Sequence, residues 1–320
     1  MATNIEGNVE ISFNVRKNMT FSDYVRSHYF QLINPLETLQ RYRKVFKNYL
    51  HVLLNHYRNN YPIEAVLKNG GKIIFSKRFQ TKTSSLGIEN YCHFQNNVLT
   101  IKKDNLPEVN FVDSEENGDL FGVFFKEEYN FLPVKNQVVI DIGANIGDSA
   151  IYFALKGARK IIAIEPIQKN YDQAQTNIKL NNFTNKIVLI NAGISDKNDS
   201  IKINLENSGT TCFLEKDDNN GIEVPLVTLE DILKINDNND CLLKMDCEGY
   251  EYRTILSTPN KILQKFSHIQ IEYHFGYKNL KKKLEDCGFK VTVEKPHIGV
   301  PLLSKKIKSY CGFLYAERVI

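Results

Sequence analysis

The chain has 320 residues, 42% of them hydrophobic and 24% charged, the balance of an ordinary globular protein. That composition excludes disordered, collagenous and disulfide-scaffold classes, and the length suits about two domains with a full core. A net charge of +4, from 41 basic and 37 acidic side chains, is too small to mark a nucleic-acid or membrane surface, which needs clustered positive charge.

Residues 1 to about 62 read as largely helical. Apolar positions at Leu32, Leu36, Leu39, Val45, Tyr49, Leu50, Leu53 and Leu54 recur at helical spacing. The stretch from Arg41 to Arg58 is basic on its other face, which reads first as a solvated helix surface. After Tyr61-Pro62, two short runs, 65–68 and 72–76, flank a Gly-Gly turn and predict a hairpin. Residues 98–102 form a further strand candidate. The aromatic segment 121–132 is expected to pack on the domain that follows. The division expected is an extension over 1–110 and a main domain over 111–320.

From about residue 136 the pattern alternates. Strands are predicted at 138–142, 160–164, 186–190, 241–245 and 269–273, with helices at 148–156 and 168–180 between the first three. A β-α-β-α-β order implies a parallel sheet with right-handed crossovers and helices on both faces. An Asn/Asp-rich stretch, 195–222, interrupts it and holds one strand candidate, 200–205. Thr228 is placed to cap a helix over 228–233, with Asp231 completing a capping-box pattern. A helix over 277–286 and strands at 290–293 and 312–316 complete the chain. The Asn-rich turns 217–220 and 236–240 lack the ligand set of a calcium loop.

The six cysteines, at 92, 212, 241, 247, 287 and 311, include no C-x-x-C pair, so they predict inert thiols in a reducing compartment. The N-terminus lacks the basic-then-apolar profile of a signal peptide, and no apolar run of about 18 residues occurs. A soluble cytoplasmic protein without membrane contact is expected.

The informative segment is VVIDIGANIGD, residues 138–148. A buried strand ends at Asp141, a glycine turn follows, and a helix begins near Asp148. Gly143 and Gly147 let a ligand approach the backbone, and the helix start presents free N–H groups. Dinucleotide sites use G-x-G-x-x-G; here the spacing is G-x-x-x-G and the third glycine is missing. Glu165 closes the next strand, where an acid can accept both hydroxyls of a ribose. A positively charged nucleoside fits both acids, and S-adenosylmethionine is such a molecule.

Here the chain resembles the FkbM family of S-adenosylmethionine-dependent methyltransferases. The likeness rests on DIGANIGDSA (141–150), Glu165-Pro166, NIKLNN (177–182), NAGIS (191–195), TLED (228–231), LLKMDCEGYE (242–251) and IEYH (271–274), and spans roughly 110–295. It implies a Rossmann-like class I methyltransferase sheet of seven strands, the last two a hairpin, preceded by a helical and β-hairpin extension. It also implies O-methylation of a hydroxyl on a sugar or other small metabolite. With position at strand ends, it assigns the donor to Asp141 (at the methionine end, or else anchoring the turn), Gly143, Ala144, Asn145 and Gly147, to Glu165 and Pro166 at the ribose, to Asn191, Ala192 and Gly193 beside the adenine, and to Asp246.

For catalysis, Asp246 ends the fourth strand, and Glu272 and His274 end the fifth, two apart and so on one face. His274 is the candidate base for the acceptor hydroxyl, oriented by Glu272 or Asp246. Glu248 divides between function and capping, Glu251 reads as structural, and Lys244 as one half of a salt bridge. A metal role for Asp246, Glu248 and Glu272 is an open but weak alternative, because ligand spacing alone does not separate it from capping and salt bridges; no metal ligand is assigned. Three other readings stand beside this one. An RNA methyltransferase draws on 41–58 and the Lys-rich stretches 278–283 and 305–308, but nucleic acid is disfavoured. A non-catalytic cofactor-binding protein and a nicotinamide oxidoreductase follow. Sequence leaves the oligomeric state open.

Overall fold

The computed structural model describes residues 15–103, 106–112, 119–203, 221–235, 240–298 and 309–319. The turns 217–220 and 236–239, the Lys-rich stretch 305–308 and Cys212 lie outside them. The chain forms two compact units, one of Tyr29–Gly118 and one that joins the residues up to His28 to those from Asp119 onward. A long helix, Phe21–Val45, runs through both.

In the smaller unit the expected hairpin forms from Ile63–Val66 and Lys72–Phe75. Its apolar side joins Tyr42, Phe46 and Val52 in a small core. Asn48 fixes the first strand, accepting from Val66 N–H (2.8 Å) and donating to Glu64 O (2.9 Å). The strand foreseen at 98–102 is the middle of an antiparallel sheet, Cys92–Gln95, Val98–Ile101 and Val109–Val112. Arg43, Lys44, Lys47 and Arg58 are exposed, the solvated basic face expected.

The larger unit is built on seven strands: β1 (Val138–Ile142), β2 (Lys160–Ile164), β3 (Ile187–Ile190), β4 (Cys241–Met245), β5 (Phe266–Tyr273), β6 (Phe289–Val293) and β7 (Tyr310–Arg318). Their spatial order is β3-β2-β1-β4-β5-β7-β6. All run parallel except β7, which is antiparallel to both neighbours. A two-residue strand, His297–Ile298, adds to β7. This is the class I methyltransferase sheet, with β6 and β7 as the antiparallel pair. β1 and β4 are buried at every position, as continuous apolar runs in a covered parallel sheet must be.

The covering helices are α1 (Asp148–Leu155), α2 (Gln168–Leu180), α3 (Leu229–Lys234), α4 (Tyr250–Ser257) and α5 (Lys278–Asp286). The direction of travel through the sheet reverses between β1 and β4. Ligands of open α/β sheets bind in the crevice beyond the strand ends at such a switch point. A second small sheet, Asp199–Ile203, Ile222–Val227 and Gly193–Ile194, stands beside the main one. Its middle strand carries no sequence signal because Pro225 counts against a strand there.

Residues 15–28 pack at the carboxyl end of β5. Asn18 Nδ2 donates to Phe275 O (2.8 Å), and Asn18 Oδ1 accepts from Asn279 N–H (2.9 Å). Ser27 donates to Pro296 O (2.8 Å), and Tyr24 stacks on Tyr310. The aromatic segment packs as foreseen: Tyr129 meets Phe153 and Phe313, and Phe131 meets Tyr315. Among the described residues no helix is long and apolar enough to cross a membrane.

Thr228 caps α3 as expected, with Asp231 bonded to its hydroxyl rather than to its backbone N–H. Asp231 N–H donates to Thr228 Oγ1 (3.2 Å), whose hydroxyl donates to Asp231 Oδ2 (2.6 Å). Thr228→Ala should cost about 1 kcal/mol, read as a lower urea midpoint with an unchanged m-value.

Candidate active site

The glycine turn is held by two charges inside the sheet. Lys244 on β4 and Asp141 on β1 are register partners, with Nζ 3.1 Å from Oδ1 and exposures of 2% and 0%. Lys244 Nζ also donates to Gly143 O (2.7 Å) and sits over the Tyr129 ring. Burial alone would lower its pKa, but Asp141 and Asp246 outweigh that and hold it well above the ordinary lysine value. Ser149 Oγ donates to the other Asp141 oxygen (2.6 Å). Asp141 is therefore enclosed beneath the turn by partners on α1 and β4. Of the two places open to Asp141, near the donor or anchoring the turn, these contacts match the second.

Gly143 has φ +78°, and a methyl group there would overlap the carbonyl oxygen of Asp246. Only glycine lets the turn cross so close to the end of β4. Gly143 and Ala144 N–H both donate to Ile164 O (3.0 Å), so neither amide is open. Ala144 is buried, while Asn145 is half-buried at the crest, with φ +48°. Gly147 lies against Ala174 of α2, and Asn177 on the same helix donates to Ile146 O (2.9 Å).

Glu165 lies at the end of β2. One oxygen accepts from Asn145 N–H (2.9 Å), and the other from Ile167 N–H (2.9 Å) and Asn170 Nδ2 (3.4 Å). Burial pushes its pKa up to about 7, against the pull of those donors. Asn191 donates to Glu165 O (3.0 Å) and Pro166 O (3.3 Å), tying the ends of β2 and β3 together. Ala192 joins the main core, and Gly193 packs under Leu226 in the small sheet. Of the three residues assigned beside an adenine, only Asn191 is half-exposed.

The other half of the site is a cage around His274. Its Nδ1 lies 3.1 Å from Glu251 Oε1, and its Nε2 lies 3.2 Å from Glu248 Oε2 and 3.8 Å from Asp246 Oδ1. The imidazole is 5% exposed, whereas Asp246 and Glu248 are 25% and 27% exposed. Burial alone would lower the His274 pKa, but Glu251 and Glu248 hold it well above 6.5. Desolvation in turn raises the Asp246 carboxyl, opposed by Lys244 and His274. Glu272 is half-buried, with its carboxylate near the imidazole and Cys311.

The orienting acid is Glu251, which sequence reasoning treated as structural only. It is both: its carboxylate also accepts from Cys247 N–H and Gly249 N–H (2.8 Å each), shaping the loop after β4. Beyond the ring, Tyr252 Oη accepts from Phe275 N–H (2.6 Å) and donates to Gly276 O (2.6 Å). Spacing on α4 could have flagged Glu251 and Tyr252 only with the loop's path known.

Glycine turn, acid at the end of β2 and polar cluster at β4 and β5 gather at one end of a class I sheet. They sit at the ligand-binding end of a Rossmann-like sheet of the class I methyltransferase type. Residues 141–291, just under half of the chain, match the family model described as the Methyltransferase FkbM domain. Over 45 residues, 14% of its length, it is 47% identical to Uncharacterized protein 158B of Sulfolobus islandicus rod-shaped virus 1, of which it covers 28%. Among solved structures it is similar to methyltransferase FkbM from Methylobacillus flagellatus KT (17% identity, 62% of this chain, 47% of that chain, TM-score 0.42). It is similar also to precorrin-6y C5,15-methyltransferase from Geobacter metallireducens GS-15 (15% identity, 61% of this chain, 87% of that chain, TM-score 0.37). A third is the M. jannaschii tRNA m1G37 methyltransferase (15% identity, 71% of this chain, 59% of that chain, TM-score 0.39).

Two predictions follow from the buried charges. Lys244→Met leaves Asp141 without its cation and should cost about 3–5 kcal/mol, read by urea unfolding. Glu165 binds its proton more tightly folded (pKa about 7) than at its ordinary 4.5. Its contribution to stability is therefore fully present below the lower value and is lost as pH rises through the higher one. Between about pH 4.5 and pH 8 that loss is on the order of 3 kcal/mol. Glu165→Gln should flatten the slope, measured as the difference between wild-type and variant unfolding curves across that range.

Proposed function

We propose that the chain is an S-adenosylmethionine-dependent O-methyltransferase acting on a hydroxyl of a sugar or other small metabolite. The observation that carries the reading is that one family-matched segment holds both the glycine turn with Glu165 and the Asp246–His274 cluster. The residues suit such a donor. The Glu165 oxygen that accepts only from Asn145 N–H keeps acceptor capacity for a ribose hydroxyl, and half-exposed Asp246 offers a carboxylate to a cationic methionine end. Asn145 and Asn191 border the same edge. When bound, the donor supplies a methyl carbon whose bond to sulfur breaks as one to the acceptor oxygen forms, leaving a neutral thioether.

The chain's part is to position the acceptor and take its proton. Holding reacting atoms in line can supply on the order of 7–11 kcal/mol, so no covalent enzyme nucleophile is needed. His274 is the candidate base, and its carboxylate neighbours Glu251 and Glu248 pull its pKa up against burial. Asp246, Glu248 and His274 act as one coupled set. On the same sheet face, an open cavity of about 460 Å³ is lined by three carboxylates (Glu127, Glu128 and Glu294), one lysine (Lys126), Thr292 and the rings of Phe131, Phe313 and Tyr315. Phe313 is the register partner of Glu272. Aromatic faces between carboxylates suit a hydroxylated ring, which stacks on the former and donates to the latter.

That lining disfavours a polyphosphate acceptor. Lys281 and Lys282, part of the basic stretch on α5, are paired with Glu285 and Asp286. The reading keeps the cytoplasmic location, with which the five free described cysteines agree.

The test is transfer of labelled methyl from S-adenosylmethionine to a panel of sugars and small hydroxyl compounds. His274→Ala should lower turnover by at least about 100-fold while the donor Kd stays within about twofold. Unchanged turnover would remove His274 from the chemistry, and no transfer to any hydroxyl would remove the O-methylation reading.

A further inference from the structure

We propose that Asp246, Glu248 and His274 form a binding site for a divalent metal ion. Each presents one donor atom, and the three atoms lie within 4.8 Å of one another. From His274 Nε2 the separations are 3.2 Å to Glu248 and 3.8 Å to Asp246. Ligands bound at about 2.1 Å to one ion stand about 3.0–3.4 Å apart in octahedral or tetrahedral geometry. A small side-chain adjustment, mostly at Asp246, brings the set onto one ion.

The second observation is on the far side of the ring. Nδ1 faces Glu251 Oε1 at 3.1 Å, and Glu251 is fully buried and fixed by two backbone N–H groups. A metal-bound imidazole almost always gives its other N–H to such a carboxylate, which sets the tautomer. With the proton on Nδ1, the Nε2 lone pair faces Glu248 and Asp246 at 3.2 and 3.8 Å, so either a second proton or a metal ion must stand between them. A single proton leaves one imidazolium among three acids; a divalent ion balances them better. Lys244, the nearest buried ammonium, is committed to Asp141.

The backbone agrees. Glu248 adopts φ +52° and Gly249 φ +110°, two left-handed residues in succession that accompany the turn of Glu248 back toward His274. A non-glycine residue held there costs of order 1 kcal/mol and marks functional loops. Asp246 and Glu248 are partly exposed while the imidazole is not. Such a site is open on one side, as catalytic metal sites are. One imidazole and two carboxylates suit a first-row ion such as Mn²⁺ or Zn²⁺.

What the ion does rests on the methyl-transfer reading. Beside the acceptor it would hold a hydroxyl oxygen and ease loss of its proton to water. The acceptor class it selects carries two adjacent hydroxyls that bind the ion together.

The experiment is Mn²⁺ titration of the full chain, followed by electron paramagnetic resonance of the free ion, with donor binding measured in parallel by calorimetry. One ion per chain is expected. Glu248→Gln should weaken it at least about tenfold, and Glu251→Gln by about 10–100-fold; circular dichroism checks that each is folded. Donor affinity of Glu248→Gln should stay within about twofold of wild type. No saturable Mn²⁺ or Zn²⁺ binding by a chain that still binds the donor would overturn the metal site and leave methyl transfer standing. Metal binding without donor binding would uphold the site and remove its proposed use. The neighbouring group Glu272, His274 and Cys311 supplies the rival. Weakening by Glu272→Gln and Cys311→Ser, but not by Glu248→Gln, would overturn the ligand set proposed here.

Discussion

The pairing of Lys244 with Asp141 fixes the geometry on which the rest of the site depends. Two charges stand opposite each other in the middle of the sheet, on strands otherwise buried and apolar. Burying such a pair adds little net stability, because desolvation offsets the attraction. Its effect is on register: sliding β4 by one residue along β1 would bury both charges without partners. The same ammonium reaches the carbonyl of Gly143. The alignment of two strands and the path of the glycine turn are thus set by one side chain.

Four acids near the switch point are handled in four ways. Asp141 is neutralised by lysine. Glu165 accepts from backbone N–H groups but, among the described residues, forms no ion pair with lysine or arginine, and burial raises its pKa. Glu251 is enclosed and divides its oxygens between a loop and an imidazole. Asp246 remains partly open at the strand end. Environment alone separates the four, Asp141 and Glu251 being enclosed by internal partners and Asp246 remaining partly exposed. The loop after β4 links these environments, since Gly143 is pressed against its first carbonyl and Glu251 against its amides.

Most of the main sheet was legible because its strands are unbroken apolar runs punctuated by glycine turns and capped helices. Thr228 and the run 138–142 are examples in which local chemistry and tertiary structure agree. Ile222–Val227 was hidden by Pro225. The docking of residues 15–28 was hidden because Asn18 acts through contacts more than 250 residues away in sequence, which no local pattern encodes. Within the site, positions at strand ends could be read, but partners could not. Asp141 read as either a ligand group or an anchor until Lys244 and Ser149 were seen to occupy it. Glu251 looked like a helix acid until the ring of His274 was found against it. Asn177 lies in a motif that was noticed, yet its bond to the turn at Ile146 is invisible in one dimension.

The central claim is that an adenosyl donor lies across the crest of the glycine turn, between the ends of β1, β2 and β4. Crystals grown with S-adenosylhomocysteine test it most directly. The account predicts density for the nucleoside beside Asn145, with its ribose hydroxyls on Glu165 and its amino-acid end toward Asp246. Nucleoside density elsewhere, or an empty crest at saturating ligand, would contradict it.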